Sequence, residues 1–155
     1  MTIDISQFFQ VFFDEAEELL AEMERLLLAV DIDAPDAEDL NAVFRTAHSI
    51  KGGASTFGLA DMTDVTHILE SLLDLIRKGE MALTAQHVDA FLTAKDILKM
   101  QLDGHRNGAH VDQDAVADVR MVLQELSQDV VAAAAPSAVV ASFGQQGAAT
   151  PAVGA

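Results

Sequence analysis

Residues 44–58, Phe44-Arg-Thr-Ala-His48-Ser-Ile-Lys51-Gly-Gly53-Ala-Ser-Thr-Phe57-Gly58, hold the combination of residue types in this chain that most invites a chemical reading. The segment continues a helical pattern, and two adjacent glycines inside a helix cost about 1 kcal/mol each against alanine, so something must offset them. On a helical wheel Asn41, Arg45, His48, Gly52 and Ser55 share the face turned away from the apolar stripe, with Lys51 beside His48 at i+3. An imidazole is displayed with bare backbone one turn on. Missing side chains at Gly52 and Gly53 would let a bulky group or a partner's backbone approach His48, and Lys51 would set a positive charge near whatever became attached to it.

Thr63, His67, Glu70 and Asp74 recur at i+3 or i+4 and form a polar edge on the following helix, which can face His48 if the two helices pack antiparallel. A carboxylate accepting a hydrogen bond from Nδ1–H fixes the tautomer in which Nε2 is the free nucleophile. Glu70 is the candidate for that role, with His67 as a neighbour. An exposed histidine beside a lysine is commonly no more than a solvated residue, and a His67–Glu70 spacing no more than a helix-surface pair. The glycines set this segment apart.

The elements that must position these groups are all helical in pattern, and no segment alternates as a strand would. Ile5, Phe8, Phe9, Phe12, Ala16, Leu19, Leu20, Met23, Leu27 and Val30 mark a first helix, with Asp4 and Gln7 as a capping box and the turn at 31–35 closing it. A second, capped by Asp36, turns Leu40, Val43, Phe44, Ala47, Ile50 and Ala54 inward and stops at Gly58. A third runs from about Ala60 to Lys78, with Gly79 as its stop. A fourth starts after Thr84 and ends in the stretch Asp103-Gly-His-Arg-Asn-Gly, and a fifth begins near Asp112. Short connections between such helices predict an all-α, antiparallel up-and-down four-helix bundle with a fifth C-terminal helix. There is no repeat at a solenoid period.

Composition narrows the function classes. The 155 residues carry 9 Lys and Arg against 25 Asp and Glu, a net charge of −16, which argues against nucleic acid or an anionic membrane surface as partner. The absence of cysteine removes disulfides, thiolate chemistry and zinc–sulfur or iron–sulfur sites. No apolar run approaches the roughly 18 to 20 residues that span a bilayer, and the first residues lack a signal-peptide pattern, so a cytoplasmic location without membrane insertion is expected. Residues 130–155 carry no charge and are rich in Ala, with Pro136 and Pro151. That break predicts a domain over 1–130 and a flexible linker over 131–155, as in a fragment of a longer protein.

The run His48-Ser-Ile-Lys-Gly-Gly-Ala-Ser-Thr-Phe-Gly58 closely resembles the phosphorylation-site motif of histidine phosphotransfer (HPt) domains, in the form found at the N-terminus of CheA-type chemotaxis histidine kinases. Ile5-Ser-Gln-Phe-Phe-Gln-Val-Phe-Phe-Asp-Glu-Ala-Glu-Glu-Leu-Leu20, Ala34-Pro-Asp-Ala-Glu, Leu40-Asn-Ala-Val-Phe-Arg, Thr66-His-Ile-Leu-Glu70 and Arg77-Lys-Gly-Glu-Met81 are similar to the same family. Ser55 stands at a small position where glycine also occurs in relatives.

The resemblance implies that His48 is a phosphoacceptor in a two-component phosphorelay. Nε2 would take the γ-phosphoryl of ATP held by a kinase domain acting in trans and pass it to an aspartate of a response regulator of the CheY or CheB type. It implies that Glu70 orients the imidazole, Lys51 neutralises phosphoryl oxygens and His67 supports the site. It also implies a histidine kinase as the full-length, dimeric protein. This stretch, which has no nucleotide-binding motif, would be a monomeric phosphorylated domain with no cofactor of its own. Partner choice would lie around His48, at Asn41, Arg45 and Ser55.

Three other readings explain less. A di-iron bundle needs Glu-x-x-His pairs, of which the sequence has none, and only Asp64 and His67 make an Asp-x-x-His. A passive helical adaptor leaves the glycines beside His48 without a reason. A hydrolase lacks a Ser, His and Asp set, and His87, His105 and His110 are expected to be solvated at helix starts or in loops.

Overall fold

The structure, a computed structural model, describes residues 5–139, with side chains through residue 128. Five helices account for its regular structure: α1 (Ile5–Ala29), α2 (Ala37–Thr56), α3 (Ala60–Arg77), α4 (Ala85–Asn107) and α5 (Gln113–Val139). Helices α1 to α4 pack as a ring in which α1 touches α2 and α4, and α3 touches the same two. This is the up-and-down bundle that short connections favour. The fifth helix lies across α3 and α4 and leaves the α1–α2 side open. It docks by burying Val116, Val119, Leu123 and Leu126.

The core is filled by Leu20, Met23, Ile50, Met62, Leu69, Leu72, Leu73, Phe91, Leu98 and Leu102, all nearly inaccessible. Removal of this apolar surface from water is the main stabilising term. At the start of α1 the apolar pattern overshoots. Ile5 and Phe8 are exposed, while Phe13 and Leu26 join the core instead. The ring of Phe12 packs with Phe13 and Phe57, tying the beginning of α1 to the end of α2.

Chain ends of the helices follow local chemistry. Asp36 caps α2, its carboxylate accepting from Glu38 N at 2.8 Å. After Phe57, Gly58 adopts φ +74° and turns the chain into α3, so the polar edges of the two helices run side by side. The proposed Asp4 cap lies outside the described residues.

Two boundaries differ from the sequence pattern. Helix α4 continues through His105 and Arg106 to Asn107 and ends at Gly108, φ +71°. Tertiary partners hold this last turn: His105 Nε2 meets Asp61 Oδ1 at 2.8 Å, and Arg106 reaches Asp14 at 2.6 Å and Glu17 at 2.8 Å. Helix α5 extends to Val139, so the composition break at 130 falls inside it, just before four alanines at 132–135 that have high helix propensity. The rest of the expected linker, from residue 140, lies outside the described residues.

His87 is not a solvated residue. It is buried, and it closes a capping box on α4 in which the Thr84 hydroxyl accepts from His87 N at 3.2 Å while Thr84 N donates to His87 Nδ1 at 3.1 Å. His105, through Asp61, is likewise engaged, whereas His110 is exposed.

Candidate functional site

The antiparallel packing of α2 on α3 sets one carboxylate against two cationic or basic groups. Glu70 of α3 is buried, and its Oε2 accepts from His48 Nδ1 while its Oε1 accepts from Lys51 Nζ. The three side chains differ sharply in exposure: the His48 ring is 64% accessible, Lys51 25% and Glu70 10%. The site therefore has a buried anchor and an open reactive face.

Burial works against ionisation of Glu70. Hydrogen bonds from Lys51 and then His48, with the attraction of their charges, outweigh it and hold the carboxyl below its ordinary value of 4.5. An ionised carboxylate has no proton to give, so the shared hydrogen sits on His48 Nδ1 and the lone pair of the neutral ring on Nε2. An exposed imidazole nucleophile of fixed tautomer, with an ammonium on the other oxygen of the same carboxylate, is suited to accept and release a phosphoryl group.

Residues 7–129 match the family model described as Hpt domain. The chain belongs to the Hpt domain family. This Hpt domain is 47% identical over 138 residues to the chemotaxis protein CheA of Klebsiella aerogenes, covering 89% of this chain and 21% of that protein. It is 46% identical over 139 residues to CheA of Salmonella typhimurium, with 90% and 21% covered, and 34% identical over 134 residues to CheA of Bacillus subtilis, with 75% and 20% covered. The chain thus spans about a fifth of the length of these curated relatives. Among solved structures, the phosphorylated P1 domain of CheA3 in complex with CheY6 from R. sphaeroides matches with a TM-score of 0.69 at 23% identity. That match covers 79% of this chain and 97% of the other, and it supports the all-helical fold.

Within the Hpt domain the two glycines that the sequence pattern joins in one role separate. Gly52 is exposed and a Cβ there would meet nothing within 4 Å, so the backbone is open toward an incoming group. Gly53 faces α1 instead: its Cβ would lie 2.6 Å from Phe12 Cε1. Its bareness serves helix packing, not access to His48.

His67 is exposed, and its ring makes no hydrogen bond with a described residue. It shares an open groove with Lys51, Gly52, Ser55, Thr63 and Asp64, on the same side of the bundle as the site. Arg45 and Ser55 are exposed. Asn41 is half-buried and its Oδ1 accepts from Arg77 Nη1 at 3.4 Å. Asp74, on the same polar edge as Glu70, is taken by Arg77 and Lys78 and does not reach the imidazole.

Helical periodicity alone places Phe44 with the inward residues, yet its half-buried ring stacks on His48 with centroids 6.1 Å apart and planes 11° apart. The guanidinium of Arg77 lies 3.9 Å from the same ring. The i, i+4 spacing of Phe44 and His48 was the available signal for the first contact; nothing local signals the second. Among the described residues no group of three or more His, Asp or Glu is placed to hold a metal ion, and no helix is long and apolar enough to cross a membrane.

Proposed function

We propose that this Hpt domain is the phosphoacceptor and phosphotransfer module of a CheA-type chemotaxis histidine kinase, with His48 as the group that is phosphorylated. The observation that carries this is an imidazole held at Nδ1 by the buried carboxylate of Glu70 while most of its ring stands in solvent. Nε2 attacks the γ-phosphorus of ATP held by a kinase domain, forming the N–P bond as the bond to ADP breaks and ADP departs with that electron pair. The ring then carries a positive charge, and Glu70 stabilises it through Nδ1–H. In the second step an aspartate oxygen of a response regulator takes the phosphoryl group and the neutral imidazole returns.

The transition state of such a transfer is loose and needs positioning and charge stabilisation more than covalent help. Lys51 is the cation available for the phosphoryl oxygens, at present held on Glu70 Oε1. His67, in the groove beside Lys51, is the supporting residue. On this reading the whole protein is a dimeric, cytoplasmic histidine kinase with the ATP site in another domain acting in trans; the relatives' description as chemotaxis proteins named CheA supports its place in chemotaxis. The solved relative described as phosphorylated and in complex with CheY6 supports a response regulator of the CheY type as the receiver; a CheB-type regulator is a second receiver on the same reading.

The test is to incubate the domain with ATP and a separately supplied CheA-type kinase domain, for wild type and His48→Gln, and to look for acid-labile, alkali-stable phosphate. Label on wild type alone, chased off by a response regulator, is the expected result. No label from a kinase domain active on another Hpt domain would overturn the reading in favour of a docking adaptor.

A further inference from the structure

We propose that Phe44 and Arg77 are positioning residues for His48: Arg77 steadies the Phe44 ring, and that ring sets the plane of the imidazole so that Nε2 is aimed for in-line attack. This rests on the phosphoacceptor reading of His48 and adds to it two residues that act through the imidazole.

One hydrogen bond at the edge of a ring restrains it without holding its plane. Glu70 tethers His48 Nδ1, but small changes in the Cα–Cβ and Cβ–Cγ torsions still tilt the imidazole, and each tilt swings the in-plane lone pair of Nε2 to a new direction. A ring that is 64% accessible has few packing neighbours to stop this motion. The face of Phe44 is one such neighbour. It lies one helical turn before His48, nearly parallel at 11°, at a centroid separation of 6.1 Å that falls within the range of offset stacking.

Phe44 is itself only half-buried and needs support. Arg77, from the end of α3, supplies it with a guanidinium carbon 3.9 Å from the ring centroid, a distance at which the cation is attracted to the ring face. The guanidinium is anchored twice more, by Nε donating to Asp74 Oδ1 at 2.8 Å and Nη1 to Asn41 Oδ1 at 3.4 Å. Asp74 is in turn held by Lys78 at 2.9 Å.

The antiparallel register explains why both attachments fall on the same histidine. Seven residues, about two turns, separate Asn41 from His48 on α2 and Glu70 from Arg77 on α3. Where α3 presents Glu70 it meets His48, and two turns on it meets Asn41 and Phe44. The imidazole is thus bracketed by one polar and one aromatic contact.

The experiment compares wild type, Phe44→Leu, Phe44→Tyr and Arg77→Gln by two readouts: the ring resonances of His48 in the unphosphorylated domain, and the initial rate of phosphorylation by ATP and a CheA-type kinase domain. Phe44→Leu is expected to remove ring-current shielding from the His48 ring protons and to slow phosphorylation about tenfold, the scale of a small misalignment. Phe44→Tyr keeps the aromatic face and should restore both readouts. Arg77→Gln, at an exposed residue, should move both in the same direction by less, about threefold in rate. Unchanged His48 resonances in Phe44→Leu and Arg77→Gln would overturn the proposal, as would a slowed rate with unaltered resonances, which would make these residues docking contacts. If wild type itself is not phosphorylated by an active kinase domain, the phosphoacceptor reading fails instead, and the His48 resonances of Arg77→Gln, which keeps the Phe44 ring, still decide whether the pair orients the imidazole.

Discussion

The ring of Phe12 lies against Gly53 so closely that a side-chain carbon there would come within 2.6 Å of Cε1 and 2.7 Å of Cδ1. Phe12 is buried between Phe13 and Phe57 and has little room to give. Gly53→Ala is therefore expected to destabilise the bundle by about 1–3 kcal/mol through overpacking, despite the better helix propensity of alanine. Gly52→Ala, which meets open space, should be neutral or stabilising by up to about 1 kcal/mol. Denaturant unfolding of the two variants beside wild type measures the contrast.

Glu70 gives a pH signature. Its carboxyl is held below 4.5 in the folded state, so its contribution to stability is full above that value and is lost as the pH falls through the lower folded value. Glu70→Gln removes the charge that Lys51 and His48 share and should cost about 1–3 kcal/mol near neutrality. The gap between wild type and Glu70→Gln should close in acid, below pH 4.5, as the wild-type carboxyl is protonated. Unfolding free energies across that range check the sign; a gap that widens in acid would contradict it.

How far the site could be read from the sequence follows from what helical patterns encode. Periodicity reports which face a residue occupies, and that sufficed to put His48 outside, Glu70 on the facing edge of α3 and Ala47 and Ile50 beneath. Which neighbour a face meets is set by crossing geometry. The opposite duties of Gly52 and Gly53, the reach of Arg77 to Phe44, and the pairing of Arg106 with Asp14 and Glu17 across 89 to 92 residues are of that kind. His87 escaped notice because a capping box normally ends in Glu or Gln, and here an imidazole nitrogen does the accepting.

Thr84→Ala tests that cap. Loss of the hydroxyl strands a backbone donor at the start of α4 and should cost about 1 kcal/mol, with no change in phosphorylation of His48. Thermal unfolding with a parallel phosphorylation assay separates the two effects.

Lys51→Ala should slow phosphorylation of His48 about tenfold while the bundle stays folded. The loss is smaller than the hundredfold or more of enclosed anion donors because water and salt screen an open site. Lys51→Arg, which keeps the charge, should recover part of the rate. Initial rates at saturating kinase domain give the comparison.

The most direct test of the account is the position of the phosphoryl group on the ring. Phosphorus and nitrogen NMR of the domain, phosphorylated by ATP and a CheA-type kinase domain, should show a single phosphohistidine at residue 48 bonded through Nε2, with Nδ1 still protonated against Glu70. Phosphate on Nδ1, or on a residue other than His48, would contradict the central claim that the buried carboxylate selects the nucleophilic nitrogen.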